Sequence, residues 1–221
     1  MITTIHSAMK IGLFDSGAGG RSFIAPLMER FPGAEIVYKE DVEHLPYGDK
    51  PPELLLQLTT PFFKAFVSER CDAVLVACNT VTTTIIDALR SQLDIPLIGV
   101  EPMIKPAAQL THTGVVAVCA TPGTLNSTRY RYLKETYAGG LKVIEPDCSN
   151  WASLIEASKQ NELQLEKMVT DLRKENVDVI VLGCTHYHWV EEDLRTLAGP
   201  GMTVIQPIEP VLDQLEKILV G

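Results

Sequence analysis

Two cysteines stand directly after short apolar runs, at positions where a parallel β-strand would end. Cys78 follows the run in LVACNT, and Cys184 follows the run in VLGCTH. A helix that begins after such a strand offers its N-terminus, and the positive potential there favours a thiolate. Two thiols on opposite sides of one substrate could remove a proton from one face and return a proton to the other. This chemistry would invert a stereocentre. For each cysteine taken alone, the alternative is a buried residue with a purely structural role.

Polar residues accompany both cysteines and suit the binding of a small polar molecule. Asn79 and Thr80 follow the first cysteine, and Thr185 and His186 follow the second. Asp15 ends another apolar run and begins the turn DSGAGG. The backbone N–H groups of that turn could hold a carboxylate. The alternative for Asp15 is a helix cap.

Other chemistries fit the cysteines less well. No C-x-x-C pair is present, so a dithiol redox site is not predicted. Cys184, His186 and His188 could bind zinc, but no second close-spaced pair completes a standard site, and we expect no metal. No strand-end motif carries a lysine for a pyridoxal Schiff base, and we expect no cofactor.

Eight apolar runs, most without polar alternation, alternate with longer amphipathic segments along the chain. This alternation is typical of an α/β fold with a mostly parallel sheet covered by helices. The predicted strands are Ile11–Phe14, Glu35–Tyr38, Ala73–Ala77, Leu97–Val100, Val115–Cys119, Lys142–Ile144, Val179–Leu182 and Thr203–Ile205. The predicted helices are 20–31, 51–70, 81–93, 125–138, 151–175, 188–197 and 209–219.

The chain resembles itself after a shift of 106 residues, the separation of Cys78 and Cys184. Four apolar segments align at this one offset, although similar unit lengths could also bring them into phase. Identical pairs are Gly17/Gly123, Asp41/Asp147, Asp72/Asp178 and Cys78/Cys184. We therefore predict two similar α/β domains, residues 1–100 plus 207–221 and residues 101–206. Ligands of such sheets bind outside the carboxyl ends of the strands, which predicts an active site in the cleft between the domains.

Composition narrows the class of protein further. The 221 residues are 46% hydrophobic and carry a net charge of −9, so we expect a globular protein that does not bind nucleic acid. No run approaches the roughly 20 apolar residues of a membrane span, and the first residues have no apolar signal-peptide core. We therefore expect a cytoplasmic protein with reduced cysteines and no membrane partner, with residues 1–8 as an extension.

Four motifs, FDSGAGG, PYG, ACNT and GCTH, occur in this order across about residues 10–210. Together they resemble the glutamate racemase family of the aspartate/glutamate racemase superfamily. The resemblance implies cofactor-independent conversion of L-glutamate to D-glutamate by a two-cysteine mechanism, for the supply of peptidoglycan precursors. It also implies an amino-acid substrate as the small-molecule partner; a homodimer is possible.

The resemblance further implies roles for single residues. Cys78 and Cys184 would be the acid/base pair, with Asp15 assisting Cys78. His186 and Glu156 would assist Cys184. The substrate-binding positions would be Asp15, Ser16, Tyr47, Gly48, Asn79, Thr80, Thr121, Thr124, Thr185 and His186.

The sequence departs from the family pattern at several positions, which bear on substrate choice. Arg21 replaces an apolar residue, Glu40 replaces a glycine, and His188 with Trp189 replaces the proline segment after GCTHY. The chain is also shorter than most members. The alternatives are a racemase or isomerase of the same superfamily that acts on aspartate or another small acid, and a non-catalytic binding protein that keeps the fold.

Overall fold

Two four-stranded parallel sheets form the centre of the structure, a computed structural model that describes residues 9–221. The predicted extension at residues 1–8 lies outside the described residues. The first sheet has the order β2-β1-β3-β4, with β1 Lys10–Asp15, β2 Glu35–Glu40, β3 Ala73–Val76 and β4 Leu97–Gly99. The second has the order β6-β5-β7-β8, with β5 Val115–Ala120, β6 Lys142–Ile144, β7 Val179–Gly183 and β8 Thr203–Ile205. The eight predicted strands and the α/β fold of two similar units are confirmed.

Ten helices connect and cover the strands of residues 9–221. They are α1 Ile24–Arg30, α2 Pro52–Ser68, α3 Asn79–Gln92, α4 Ile104–Leu110, α5 Pro122–Leu125, α6 Thr128–Ala138, α7 Trp151–Glu156, α8 Leu165–Lys174, α9 Glu191–Ala198 and α10 Ile208–Leu219. Two 3-10 turns matter for the site: Ala18–Phe23, called turn A, precedes α1, and Thr185–Val190, called turn B, precedes α9.

Several predicted helices differ from the observed ones. The single helix predicted for 151–175 is wrong, because α7 ends at Glu156 and α8 begins at Leu165. Ser158 and Gln164 between them have positive φ angles of 57° and 50°, which no α-helix can accommodate. The predicted helices 20–31 and 188–197 begin as turns A and B. The helix predicted for 125–138 starts anew as α6, where Ser127 accepts a hydrogen bond from the Tyr130 N–H, and α4 was not predicted.

The strands that carry the site are buried on both faces because their residues are almost all apolar. All four residues of β3, AVLV, and all five of β7, VIVLG, are buried. Each sheet separates two hydrophobic clusters, one on each face. Central strands of this kind fix the positions of the residues that follow their carboxyl ends.

The last helix packs against the first sheet. Leu212 and Leu215 of α10 are buried in the same cluster as Ile11 of β1 and Leu75 of β3. On the rim of this contact, the Arg30 guanidinium forms ion pairs with three carboxylates of α10, those of Glu209, Asp213 and Glu216. None of the helices within residues 9–221 is both long enough and apolar enough to span a membrane.

Candidate active site

Both cysteines lie where a central strand gives way to a helix or turn. Cys78 lies just beyond β3 and is the N-cap residue of α3, while Cys184 follows β7 and precedes turn B. Both have extended backbones, with φ of −134° and −150°. Both are buried, and both line one cavity of about 30 Å³. One thiol from each half of the molecule therefore reaches the same enclosed space.

The cavity collects most of the predicted site residues. Those that line it are Ser16, Tyr47, Gly48, Cys78, Asn79, Thr80, Thr121, Cys184, Thr185 and His186. Asp15, Thr124 and Glu156 are not among the lining residues. Each contacts one that is: Ser16, Thr121 and His186, respectively.

Other lining residues were not predicted from the sequence. Pro46 is the first residue of the PYG motif, Leu45 and Asp49 lie on either side of the motif, and Pro122 follows Thr121. Each of these residues thus adjoins a residue that the sequence did mark. Ser149 and Ala152 lie just before and within α7, and no motif in the sequence marks them.

The Asp15 carboxylate is enclosed by donors from both halves of the molecule. It accepts hydrogen bonds from the backbone N–H of Ser16 at 2.7 Å, from the N–H of Gly20, and from the hydroxyl of Thr185 at 3.2 Å. Its side chain has no solvent exposure. Burial raises the pKa of Asp15 to about 6, against the lowering effects of the His186 charge and of these hydrogen bonds.

Ser16 lies between Asp15 and Cys78. Its hydroxyl oxygen is 3.5 Å from a carboxylate oxygen of Asp15 and 3.5 Å from Cys78 Sγ. Burial and the nearby Asp15 charge raise the pKa of Cys78 to about 12, with the Ser16 hydrogen bond acting in the opposite direction. Cys78 is therefore a neutral thiol at pH 7.

Cys184 has a different partner, the imidazole of His186. Cys184 Sγ lies 3.8 Å from Nδ1 of His186, and Nε2 of His186 lies 2.7 Å from a carboxylate oxygen of Glu156. Burial opposes the charged imidazole, but the hydrogen bonds to Cys184 and Glu156 prevail and raise the pKa of His186 to about 11. The hydrogen bond from His186 also lowers the pKa of Glu156. The arrangement places a cation beside the Cys184 thiol.

Hydroxyl and amide groups complete the cavity wall. The hydroxyls of Thr80 and Thr121, from different halves, are 2.9 Å apart, and the Thr121 hydroxyl donates to that of Thr124 at 3.2 Å. Asn79 donates through Nδ2 to the Val100 carbonyl at 3.0 Å. Its Oδ1 is buried and has no partner among the described residues. An unpaired buried acceptor on a cavity wall suits an ammonium or N–H donor of a ligand.

A buried carboxylate outside the predicted set holds Tyr47. The Tyr47 hydroxyl donates to Asp41 at 2.6 Å, and Nδ1 of His44 lies 2.8 Å from the same carboxylate. Burial and the hydrogen bond to Asp41 raise the pKa of Tyr47, so the phenol is neutral. The sequence marked Asp41 only as an identity of the internal repeat with Asp147.

The zinc alternative can be compared with the geometry. His186 turns Nδ1 towards Cys184, whereas Nδ1 of His188 lies 3.0 Å from the Ser22 hydroxyl. No three His, Cys, Asp or Glu side chains converge as metal ligands anywhere within residues 9–221.

Comparison with known proteins identifies the family of this chain. The family model described as Asp/Glu/Hydantoin racemase matches residues 49–215. The chain belongs to the Asp/Glu/hydantoin racemase family. It is 36% identical over 214 residues to the glutamate racemase of Pseudomonas syringae pv. tomato, covering 95% of this chain and 78% of the relative.

Solved glutamate racemases of this family share the fold. The structure of the Escherichia coli enzyme in complex with L-glutamate and the activator UDP-MurNAc-ala superposes with a TM-score of 0.86 at 28% identity, covering 97% of this chain and 83% of that one. The Francisella tularensis enzyme in complex with D-glutamate gives a TM-score of 0.79 at 27% identity, covering 96% and 81%.

Two departures from the family pattern form an ion pair at the edge of the site. The Arg21 guanidinium contacts the Glu40 carboxylate with two nitrogens, at 3.2 and 2.5 Å. The Tyr38 hydroxyl lies 2.7 Å from the same carboxylate and 2.9 Å from the Gly17 carbonyl. Arg21 and Glu40 are thus paired with each other outside the cavity, and neither lines its wall.

Proposed function

We propose that this member of the Asp/Glu/hydantoin racemase family is a cofactor-independent glutamate racemase. The observation that carries the proposal is the placement of two thiols, one from each half, on one enclosed cavity. The relatives at 33–36% identity over most of the chain are named glutamate racemases, which supports glutamate as the substrate.

In the proposed mechanism, one cysteine acts as a thiolate base and the other as a thiol acid. The thiolate takes the α-proton, and the C–H electron pair stays on the α-carbon as a carbanion. The opposite thiol then protonates that carbon on its other face and becomes the thiolate, so the reverse reaction uses the same two groups in exchanged roles. Holding both groups in place spares the rotation that a single base would need.

The assisting residues follow from the contacts on each side. Through the Ser16 hydroxyl, Asp15 can accept the proton that Cys78 loses, and the ammonium of the substrate would favour the Cys78 thiolate. On the other side, the charged His186 would stabilise the Cys184 thiolate, and Glu156 orients the imidazole.

The cavity wall would bind the amino-acid portion of the substrate. Asn79 Oδ1 would accept a hydrogen bond from the ammonium, and the Thr80 hydroxyl, rotated away from Thr121, would donate to a carboxylate oxygen. The Thr185 hydroxyl donates its one proton to Asp15 and so has none to give to the substrate. Thr124 would orient Thr121 rather than contact the substrate.

The activity can be tested with purified protein and no added cofactor. Circular dichroism should show loss of optical activity with L-glutamate and with D-glutamate, and a much slower change with L-aspartate. A faster reaction with aspartate would favour the alternative substrate, and binding of glutamate without racemisation would favour the non-catalytic alternative.

The two-cysteine mechanism has its own test, in which Cys78→Ala and Cys184→Ala should each abolish racemisation. Each variant should still exchange the α-proton of one enantiomer with deuterium from the solvent, because the remaining thiol faces only one side of the α-carbon. Full racemisation by either variant would exclude the scheme.

We further propose that the protein supplies D-glutamate for peptidoglycan precursors in the cytoplasm, and that it forms a homodimer. A bacterium that requires external D-glutamate should grow without it when it expresses this chain, and not when it expresses Cys184→Ala. Light scattering of the purified protein measures the oligomeric state.

A further inference from the structure

His188 makes a contact between the two halves that the proposed mechanism does not use. Its Nδ1 lies 3.0 Å from the hydroxyl oxygen of Ser22 in turn A, and its ring packs on Phe23 with centroids 5.9 Å apart. The Ser22 hydroxyl is also 2.8 Å from the carbonyl oxygen of Gly19. Ser22 and Phe23 belong to the first half, and His188 belongs to turn B of the second.

The hydrogen-bond inventory of this contact leaves one nitrogen without a partner. The Ser22 hydroxyl has one proton, which it donates to Gly19, so the bond to His188 is donated by Nδ1–H. Nε2 is then an acceptor that is buried and has no partner among the described residues. An apolar residue at position 188 would pack in this place without leaving a buried nitrogen unpaired. What the imidazole adds over an apolar residue is therefore its hydrogen bond to Ser22.

The same turn A supports Asp15. Gly19 lies so close to turn B that an added Cβ would be 2.6 Å from Thr185 Oγ1 and 2.6 Å from the backbone nitrogen of His186. The next residue, Gly20, donates its N–H to the Asp15 carboxylate, and Thr185 donates to the same carboxylate from turn B. Two of the three donors to Asp15, Gly20 and Thr185, therefore come from the two turns that Ser22 and His188 connect.

We propose that Ser22 and His188 are positioning residues that hold turn A against turn B and thereby keep the Gly20 and Thr185 donors on Asp15. The effect on reaction rate rests on the proposed racemase function, whereas the effect on the Asp15 carboxylate does not.

The proposal predicts a change in the titration of Asp15. Hydrogen bonds donated to a carboxylate favour its charged form, so loosening them raises its pKa. The titratable groups that face Asp15 are His186 of turn B, Cys78 at the start of α3, Tyr38 of β2 and Tyr47 of the following loop. Substitution of Ser22 or His188 leaves all four in place.

Three variants distinguish the effect of the Ser22–His188 hydrogen bond from the effect of side-chain size. Ser22→Ala and His188→Leu each remove the bond, and His188→Asn keeps an amide N–H donor near the position of Nδ1. Ser91→Ala at the exposed end of α3 and His112→Asn in an exposed loop are the matched controls, since they make similar changes elsewhere. Thermal unfolding of each variant shows whether the fold is retained.

The first measurement is the carboxyl carbon-13 NMR titration of Asp15, assigned by its absence from the spectrum of Asp15→Asn. We expect the pKa to rise by at least about half a unit in Ser22→Ala and His188→Leu. It should keep the wild-type value in His188→Asn and in both controls. An unchanged titration in His188→Leu, or a shift that His188→Asn does not reverse, would overturn the proposal.

The second measurement is the pH profile of kcat with glutamate. In Ser22→Ala and His188→Leu, we expect kcat to fall by about 10-fold or more and its acid limb to move to higher pH. A wild-type profile in both would also overturn the proposal. If the wild-type chain does not racemise glutamate but the Asp15 titration shifts as expected, the racemase function fails and the positioning pair stands.

Discussion

Cys78 and Cys184 occupy matched positions in the two halves, yet their surroundings differ in charge. Cys78 adjoins a serine that contacts a buried carboxylate, whereas Cys184 adjoins an imidazole paired with a carboxylate. The first environment favours a neutral thiol at Cys78, and the second places a charged imidazole beside the sulfur of Cys184. The two directions of the proposed reaction would therefore begin from unlike groups.

This asymmetry predicts unequal effects of two substitutions. Asp15→Asn should lower kcat more in the direction begun by Cys78, and His186→Asn should lower kcat more in the opposite direction. Acid/base contributions of this type are about 10²–10⁴-fold. The ratio of the two kcat/KM values cannot change, because the enantiomers have equal energies, so KM must compensate. Rates measured from each enantiomer by circular dichroism check this, and equal losses of kcat would assign neither residue to one side.

The raised pKa of Asp15 predicts a pH dependence. Burial moves this pKa from 3.8 to about 6, so the carboxylate that would accept a proton from Cys78 is itself protonated below that pH. In the direction begun by Cys78, kcat should therefore fall as the pH drops through about 6. In Asp15→Asn the remaining activity should not show this fall in kcat near pH 6. If kcat of Asp15→Asn still falls near pH 6, the group that titrates is not Asp15.

Turn A shows how a short element can determine the geometry of a site. Its glycines permit close approach: added Cβ atoms at Gly19 and Gly20 would be 2.6 Å from Thr185 Oγ1 and 2.5 Å from Asp15 Cβ. Because glycine has no side chain, the run GAGG lets turn A approach turn B and Asp15 closely. The partner segment, turn B, could not be identified from the run itself.

The packing of α10 supports a division of the chain into residues 1–100 plus 207–221 and residues 101–206, which we propose as the two domains. Leu215 is fully buried against the first sheet, and Ile218 on the same helix is 42% exposed. Leu215→Ala should lower the free energy of unfolding by about 2–5 kcal/mol, and Ile218→Ala by about 0.5 kcal/mol or less. Urea denaturation measures both.

The proposed division into two domains can be tested by locating the part of the structure that Leu215→Ala destabilises. In Leu215→Ala, amide hydrogen exchange should become faster in β1 and β3 and stay unchanged in β5 and β7. Equal acceleration in both sheets would contradict the proposed assignment of α10 to the first domain.

Considered as a whole, the molecule leaves little free space in its candidate site. The inner cavity of about 30 Å³ is far smaller than the roughly 300 Å³ or more of typical ligand pockets. An outer cavity of about 330 Å³ lies beside it, and both are lined by Leu45, Pro46, Ala152 and His186. Entry of an amino acid therefore requires the wall between these cavities to move.

Substrate binding should then leave a mark on amide exchange. D-glutamate should slow exchange in the segment Val42–Gly48 and in α7, which form this wall, and in turns A and B. Exchange in α10 should not change, because that helix lies outside the cavity. Mass spectrometry of digested protein, with and without D-glutamate, checks this. Slowing confined to α10, or none at all, would contradict entry through the shared wall.

Much of this protein was determined by local sequence. Apolar runs without polar alternation define most of the strands, because strands buried on both faces require them. Residues at the end of β1 and just beyond β3 and β7 must lie at the carboxyl edge of a sheet. The positions of Asp15, Cys78 and Cys184 follow from these two rules. The two cysteines were predicted to be an acid/base pair from their positions and chemistry, whereas the role of Asp15 beside Cys78 came from the family resemblance.

Only the tertiary structure decided which groups touch. Thr185 reaches Asp15 across 170 positions of sequence, His188 reaches Ser22 across 166, and the break between α7 and α8 lets Glu156 end a helix beside His186. Contacts between halves depend on how two sheets are oriented, and that orientation arises from the packing of many side chains rather than from any local pattern. The burial of Asp15 and Cys78 also depends on this packing, and it gives both groups pKa values that their residue types alone would not predict.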